Sequence, residues 1–239
     1  MNAVQNNIYV NGDYLDRNPT WGKEDSLWKA KEIHKIIQRN QLHPDSIIEV
    51  GCGFGEILIH LSKLCKEVSS IKGYDISPQA IAEAQKHTTD RVLFYNTDFA
   101  KENNTSFGLI LVIDVIEHIP DYLEFLKSIA GKGKDFIFHI PLDISCRTIL
   151  KPHVLLQQRN DVGHLHYFTR DHVEWILSDM GFVIKDWHYT LSETDRNKAH
   201  TIKQWIKKNI RKFSFFLTKE ISVKLWGGYS VMIYCQKHE

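Results

Sequence analysis

Three glycines alternate with single residues in Val50-Gly51-Cys52-Gly53-Phe54-Gly55-Glu56, directly after apolar Ile47-Ile48 and the acidic Glu49. Glycine there lets the backbone turn sharply and leaves room for a ligand pressed against it. Ile57, Leu58, Leu61 and Leu64 follow at helical spacing, so the turn is placed between a strand and a helix. Doubly wound α/β proteins bind nucleotides at that position. The spacing is G-x-G-x-G, not the G-x-G-x-x-G of dinucleotide sites. Three more carboxylates fall at predicted strand ends. Asp75 stands 24 positions after Gly51, where a carboxylate can accept hydrogen bonds from both ribose hydroxyls. Asp98 precedes Phe99 after a third strand, and Asp114 closes the apolar run Leu109–Ile113.

Histidine is suited to proton transfer near neutral pH, and the chain holds 13 of them. His118 follows the fourth strand. His139 sits inside an apolar run and reads as a core histidine. His164 and His166 lie between the fifth strand and the next helix, and one of them is the expected general base, with His118 the third candidate. Separated by one residue, His164 and His166 point the same way in extended chain. That geometry would suit a metal pair, but no third ligand is evident and no metal is expected. The four cysteines are scattered without a C-x-x-C pair, so neither a zinc site nor a disulfide framework is indicated.

The elements that must position these residues can be read from periodicity and punctuation. Ser26 to Gln41 reads as a helix, then Ile47–Val50 as the first strand. Ile71–Tyr74 is the second, ending at Asp75, and Ser77-Pro78 opens a helix as N-cap and first helical residue. Val92–Tyr95, Leu109–Ile113 and Phe136–Ile140 follow as strands, the last stopped by Pro141. An irregular stretch then runs to Phe168, a helix from Thr169 to Met180, a sixth strand over Phe182–His188 and a last strand over Ser230–Tyr234. Alternating strands and helices predict an α/β, Rossmann-like, doubly wound sheet.

The glycine loop preceded by Glu-Val resembles motif I of the class I S-adenosylmethionine-dependent methyltransferases. The run Leu109 to Ile119, with its Glu-His-Ile ending, resembles motif IV of that family, and Gly163-His164-Leu165-His166-Tyr167-Phe168-Thr169 resembles a segment common in it. The resemblance covers about Ile47 to His188. It implies seven strands, six parallel and one antiparallel, with Gly227-Gly228-Tyr229 opening the closing strand. It implies S-adenosylmethionine as cofactor, with S-adenosylhomocysteine as product. Glu49, Gly51, Cys52, Gly53 and Gly55 would hold its amino-acid end, Asp75 and Ile76 its ribose side, Asp98 and Phe99 its adenine, and Asp114 and Val115 the junction with the acceptor. The implied reaction is methyl transfer to an oxygen or nitrogen of a small molecule.

The chain is organised as one domain over 1–239: an arm over 1–44, a cofactor-binding core over 45–188, a basic helical insertion over 189–226 and a closing strand over 227–239. Tyr9, Tyr14, Trp21 and Trp28 give the arm an aromatic character, suited either to closing over the cofactor or to packing on the sheet. Within Thr201–Trp226, Ile202, Trp205, Ile206, Ile210, Phe213 and Leu217 form an apolar stripe, with Lys203, Lys207, Lys208, Arg211 and Lys212 opposite. The stripe can pack on the domain, form a lid for an anionic acceptor, or rest on an anionic membrane. A net charge of +1 disfavours a nucleic-acid partner. The polar N-terminus and the lack of any long apolar run lead to a cytoplasmic expectation. The alternatives are a homologue that binds the cofactor without turnover, a nucleic-acid or lipid-linked acceptor, and a nicotinamide oxidoreductase, against which the G-x-G-x-G spacing argues.

Overall fold

The computed structural model describes residues 5–102, 107–191 and 201–238. Three helices lead in: α1 (Gln5–Val10), α2 (Asp13–Arg17) and α3 (Lys23–Arg39). The alternating core follows as β1 (Ser46–Val50), α4 (Glu56–Leu64), β2 (Ser70–Asp75), α5 (Pro78–Ala84), β3 (Val92–Asn96), β4 (Phe107–Ile113), α6 (Tyr122–Ala130) and β5 (Gly133–Leu142). Next come α7 (Cys146–Leu150), α8 (His153–Asp161), α9 (Arg170–Asp179), β6 (Phe182–Thr190), α10 (Ile202–Leu217), α11 (Lys219–Trp226) and β7 (Tyr229–Lys237).

The seven strands form one sheet in the order β3-β2-β1-β4-β5-β7-β6. β7 runs antiparallel to both β5 and β6, and the other pairings are parallel. The expected doubly wound sheet with one reversed strand is therefore present. Its central strands are apolar on both faces, as parallel strands covered by helices require. Ile110 and Val112 of β4 face the core under α6 and α9, whereas Leu109, Leu111 and Ile113 face the core under α3, α4 and α5. The order reverses between β1 and β4, and the ends of these two strands open the crevice that holds the site.

Local signals behave as their chemistry dictates. Ser77 Oγ accepts from Ala80 N–H at 3.2 Å with Pro78 at the first helical position, and Thr169 Oγ1 accepts from His172 N–H at 3.2 Å. α3 begins three residues before the expected start, at Lys23, after Gly22 in the left-handed region. It also ties the far edge of the sheet, because Arg39 donates to Asp186 at 2.5 Å and His188 to Glu32 at 3.0 Å.

Three expectations are corrected. Pro141 does not stop β5, which runs to Leu142. Pairing with β4 ends at His139 while pairing with β7 continues, so the missing proline N–H falls beyond the β4 ladder. The stretch expected to be irregular holds α7 and α8, and α8 is polar and exposed enough to lack an apolar period. The insertion is two helices divided at Thr218, and its 192–200 part lies outside the described residues. No helix among the described residues is long and apolar enough to cross a membrane.

Candidate active site

The glycine loop is held by β2. Gly51 and Cys52 donate their N–H groups to Tyr74 O at 2.8 and 3.1 Å, and Gly53 N–H donates to Asp75 Oδ2 at 2.8 Å. Asp75 Oδ1 accepts from Ser77 N–H at 2.8 Å, so one carboxylate orders both the loop and the start of α5. Burial raises the Asp75 carboxyl against these donors. Gly51 has φ 71°, and a Cβ there would lie 2.7 Å from a Val115 methyl. At Gly53, with φ 52°, it would lie 2.4 Å from the Trp21 ring. Both positions therefore need glycine, for conformation and for space.

Above the loop lies a cavity of about 400 Å³ at the strand ends. Glu49, Gly51, Cys52 and Gly53 line one side, Asp114, His118 and His164 the other, and Tyr14, Trp21 and Trp28 of the arm face it as well. Glu49 is 1% exposed, and its Oε2 has no hydrogen-bond partner. Burial pushes its carboxyl well up, although Lys29 pulls the other way. Burial also pushes up the Cys52 thiol, which suits a packing residue and not a nucleophile.

Asp114 sits at the end of β4 with φ 53°, an uncommon conformation for a residue with a Cβ. Its Oδ1 accepts from His139 Nδ1 at 2.6 Å and its Oδ2 from Lys29 Nζ at 2.7 Å. Burial would raise this carboxyl, but His139 and Lys29 outweigh it and hold it well below the usual range. His139 Nε2 meets Thr190 Oγ1 at 2.9 Å, so both ring nitrogens are used, as expected of a core histidine.

A second cluster faces the cavity from the segment after β4. His118 donates from Nδ1 to Gly163 O at 3.3 Å, and His164 donates from Nδ1 to Asp143 Oδ2 at 2.8 Å. The imidazoles meet edge to face at 5.0 Å. Glu117 lies beside them, fully buried, and neither carboxylate oxygen has a hydrogen-bond partner. One donor atom each from Glu117, His118 and His164 fall within 4.8 Å of one another. Burial, then the neighbouring His164, pulls the His118 imidazole down to about 4.

The arm closes this side. Tyr9 and Tyr14 pack against each other at 4.8 Å with their rings tilted by 39°, and the rings lie 6.1 and 6.4 Å from His118. Gln79 of α5 donates to Val10 O at 2.9 Å, while Asn18 donates to Asp161 O at 3.0 Å. The arm thus bridges the glycine-loop side and α8.

Several expected site residues fall elsewhere. His166 does not face the cavity: its Nε2 donates to Ile119 O and Pro120 O at 3.0 and 3.2 Å, and its ring packs on Tyr122. Phe99 is buried between Tyr74 and Phe107, which corrects the expectation that it stacks on a ligand ring. Gly55 starts α4, Val115 packs beneath Gly51, and Asp98 caps the turn at Ala100. Asp75, Ile76 and Asp98 stand on the strand-end edge beside the cavity, outside its lining. Sequence reading missed Lys29, Glu117 and Asp143. Glu117 and Asp143 follow strand ends, so the rule that found Asp114 could have found them; nothing marks Lys29 among its neighbours on α3.

A glycine loop on β1, an acidic end to β2 and this strand order are joined by one decisive match: the family model described as Methyltransferase domain fits residues 21–186. The chain belongs to the class I S-adenosylmethionine-dependent methyltransferases. This chain is 26% identical over 181 residues to N-methyltransferase 4 of Papaver somniferum, covering 68% of this chain and 48% of that one. It is 29% identical over 104 residues to the mitochondrial ubiquinone biosynthesis O-methyltransferase of Schizosaccharomyces pombe, covering 41% and 37%. The chain thus spans half or less of the length of these two relatives. Its fold matches magnesium protoporphyrin IX methyltransferase of Synechocystis with bound S-adenosylhomocysteine, at TM-score 0.64 and 15% identity over 98% of both chains. The plantazolicin methyltransferase matches at TM-score 0.57 and 15% identity, over 96% of this chain and 89% of that one. S-adenosylmethionine is the cofactor. The residues fit it: the unpartnered Glu49 oxygen suits its cationic amino-acid end, and the glycine loop leaves main chain open beside it.

Proposed function

We propose that the protein transfers a methyl group from S-adenosylmethionine to an oxygen or nitrogen of a small molecule. The observation that carries this reading is a single cavity joining the Glu49 and glycine-loop side to the Glu117, His118 and His164 side. When bound, S-adenosylmethionine supplies a methyl on a sulfonium, activated for in-line displacement. Glu49 holds the cofactor's ammonium. Asp75 keeps the loop in shape, and its remaining lone pairs receive the ribose hydroxyls. Asp114, fixed by Lys29 and His139, forms the wall between the cofactor and the acceptor. Tyr14 and Trp21 exclude water, and alignment of two bound reactants contributes up to about 7–11 kcal/mol in favourable cases.

The acceptor docks against His118 and His164, with Asp143 holding the His164 ring so that Nε2 faces it. The proton of a hydroxyl acceptor departs at this cluster. Relatives named for N- and O-methylation are compatible with either acceptor atom. Calorimetric titration with S-adenosylmethionine and S-adenosylhomocysteine tests the reading. Micromolar binding, weakened at least about tenfold in Asp75→Ala, is expected. Folded protein that binds neither ligand would overturn it.

A further inference from the structure

Glu117 is the group in the cavity wall that the methyl-transfer reading leaves without a task. Its carboxylate is fully buried and unpartnered, and an uncompensated buried carboxylate is costly. Beside it, His118 and His164 each commit Nδ1 to an acceptor, Gly163 O and Asp143 Oδ2. Each therefore presents Nε2 as its remaining nitrogen, and His118 Nε2 lies 3.9 Å from Glu117 Oε1. An Nδ1–H anchored on a carboxylate or carbonyl is the arrangement that orients imidazole for metal ligation. One nitrogen of each histidine and one Glu117 oxygen lie within 4.8 Å of one another, so some point lies within about 2.8 Å of each of these three atoms. Bonds of about 2.0–2.2 Å then require side-chain shifts below about 1 Å.

We propose that Glu117, His118 and His164 bind a divalent transition-metal cation of the zinc class, with open coordination positions facing the cavity. Two imidazoles and one carboxylate suit zinc, manganese, iron or cobalt better than magnesium or calcium. No metal was expected from the sequence, where His164 and His166 lacked a third ligand; the structure sets His118 beside His164 in place of His166, with Glu117 as the third group. The chemical role of the ion rests on the methyl-transfer reading; ion binding itself does not. A hydroxyl on the ion becomes more acidic and releases its proton to water. Its oxygen lone pair then forms the bond to the methyl carbon, and the carbon–sulfur bonding pair returns to sulfur, which leaves as a neutral thioether.

The test uses the full chain, stripped with a chelator and titrated with Co2+ by visible absorption and with Zn2+ by competition. One equivalent bound, with a ligand-field band typical of nitrogen and oxygen donors, is expected. Glu117→Gln and His164→Asn should each weaken binding at least about tenfold, while His166→Ala should not. Substoichiometric binding, or equal affinity in Glu117→Gln and His164→Asn, would overturn the proposal. Circular dichroism and S-adenosylhomocysteine calorimetry on the same samples separate the two readings. Cofactor binding without cobalt binding removes the metal site alone, and cobalt binding without cofactor binding removes the methyltransferase reading alone.

An independent observation concerns α10, which is docked the wrong way round for a helix that completes a core. Arg211 is 3% exposed, lies 4.8 Å over the Tyr229 ring and donates to Gly227 O at 3.0 Å. Phe215 stacks on Tyr229 at 5.1 Å. The apolar stripe therefore faces outward: Ile202, Trp205, Ile206, Ile210, Phe213 and Phe216 are all exposed, Phe216 by 85%. At 3.6 residues per turn the stripe fills an arc of about 140°. Lys203 and Lys207 border one margin and Lys208 and Lys212 the other, and α10 contains no acidic residue. This corrects the expectation that Arg211 lies on a solvated basic face.

We infer that α10 lies on an anionic lipid surface, apolar face down, with the marginal lysines reaching the headgroups. Sedimentation with phosphatidylcholine vesicles, with and without phosphatidylglycerol, tests this. Binding should require phosphatidylglycerol, weaken with salt, and fall at least about tenfold in Phe213→Ser/Phe216→Ser, whose positions are exposed. Absence of binding to the anionic vesicles would overturn it. So would a dimer, seen by light scattering, that the same double variant dissolves.

Discussion

Replacing Lys29 with methionine probes the buried charge network beneath the cavity. Lys29 Nζ lies 2.7 Å from Asp114 Oδ2, and the two side chains are only 17% and 27% exposed. Removing one partner of a buried pair costs about 3–5 kcal/mol when it leaves the other charge uncompensated. Asp114 keeps His139 at 2.6 Å, so the expected loss lies at or below the low end, about 2–3 kcal/mol. For a chain of this size that lowers the melting temperature by roughly 4–12 °C. Adding Asp114→Asn should restore part of the loss, because position 114 then carries no charge that has lost its Lys29 partner. Thermal melts of the wild type, both single variants and the double variant form the cycle. A Lys29→Met melt within about 2 °C of wild type, or strict additivity, would refute the reasoning.

Gly51→Ala should weaken S-adenosylhomocysteine binding at least about tenfold by calorimetry and cost about 1–2 kcal/mol, since alanine meets both φ 71° and the Val115 methyl. The Glu32 carboxyl is held down to about 2 by the hydrogen bond from His188, against burial and with Lys35 adding. Its contribution to stability is present above its ordinary value near 4.5 and is lost as pH falls toward 2. Urea midpoints should therefore decline more steeply over that window in wild type than in Glu32→Gln, by no more than about 1 kcal/mol because the pair is partly solvated. Arg211→Ala should loosen α10 and α11 from Tyr229, read as faster proteolysis within 201–226 at nearly unchanged cofactor affinity. Binding of a small acceptor should change little between about 50 and 200 mM salt, where a nucleic-acid acceptor would lose about 10³–10⁵ in affinity.

The sheet and its glycine turn were legible in the chain because their causes are local. Leu109–Ile113 is apolar throughout because both faces of the strand are covered, and Ser77-Pro78 starts a helix wherever it stands. Among the elements, α8 was hidden because its polar, exposed surface masks its period, and Pro141 was misplaced because its tolerance depends on where a neighbouring strand stops pairing.

Sequence alone determined the glycine loop, because a positive φ beside close neighbours leaves few alternatives to glycine, and it determined the apolar alternation that builds the parallel core. Tertiary structure alone decided which polar groups meet. Lys29 reaches Asp114 across 85 positions, and Asp143 fixes His164 while His166 turns to the carbonyls of Ile119 and Pro120. The apolar period of α10 was plain, but a stripe carries no sign of whether it faces in or out. Arg211 on Tyr229 set that direction, since docking one face of a helix turns the opposite face to its surroundings.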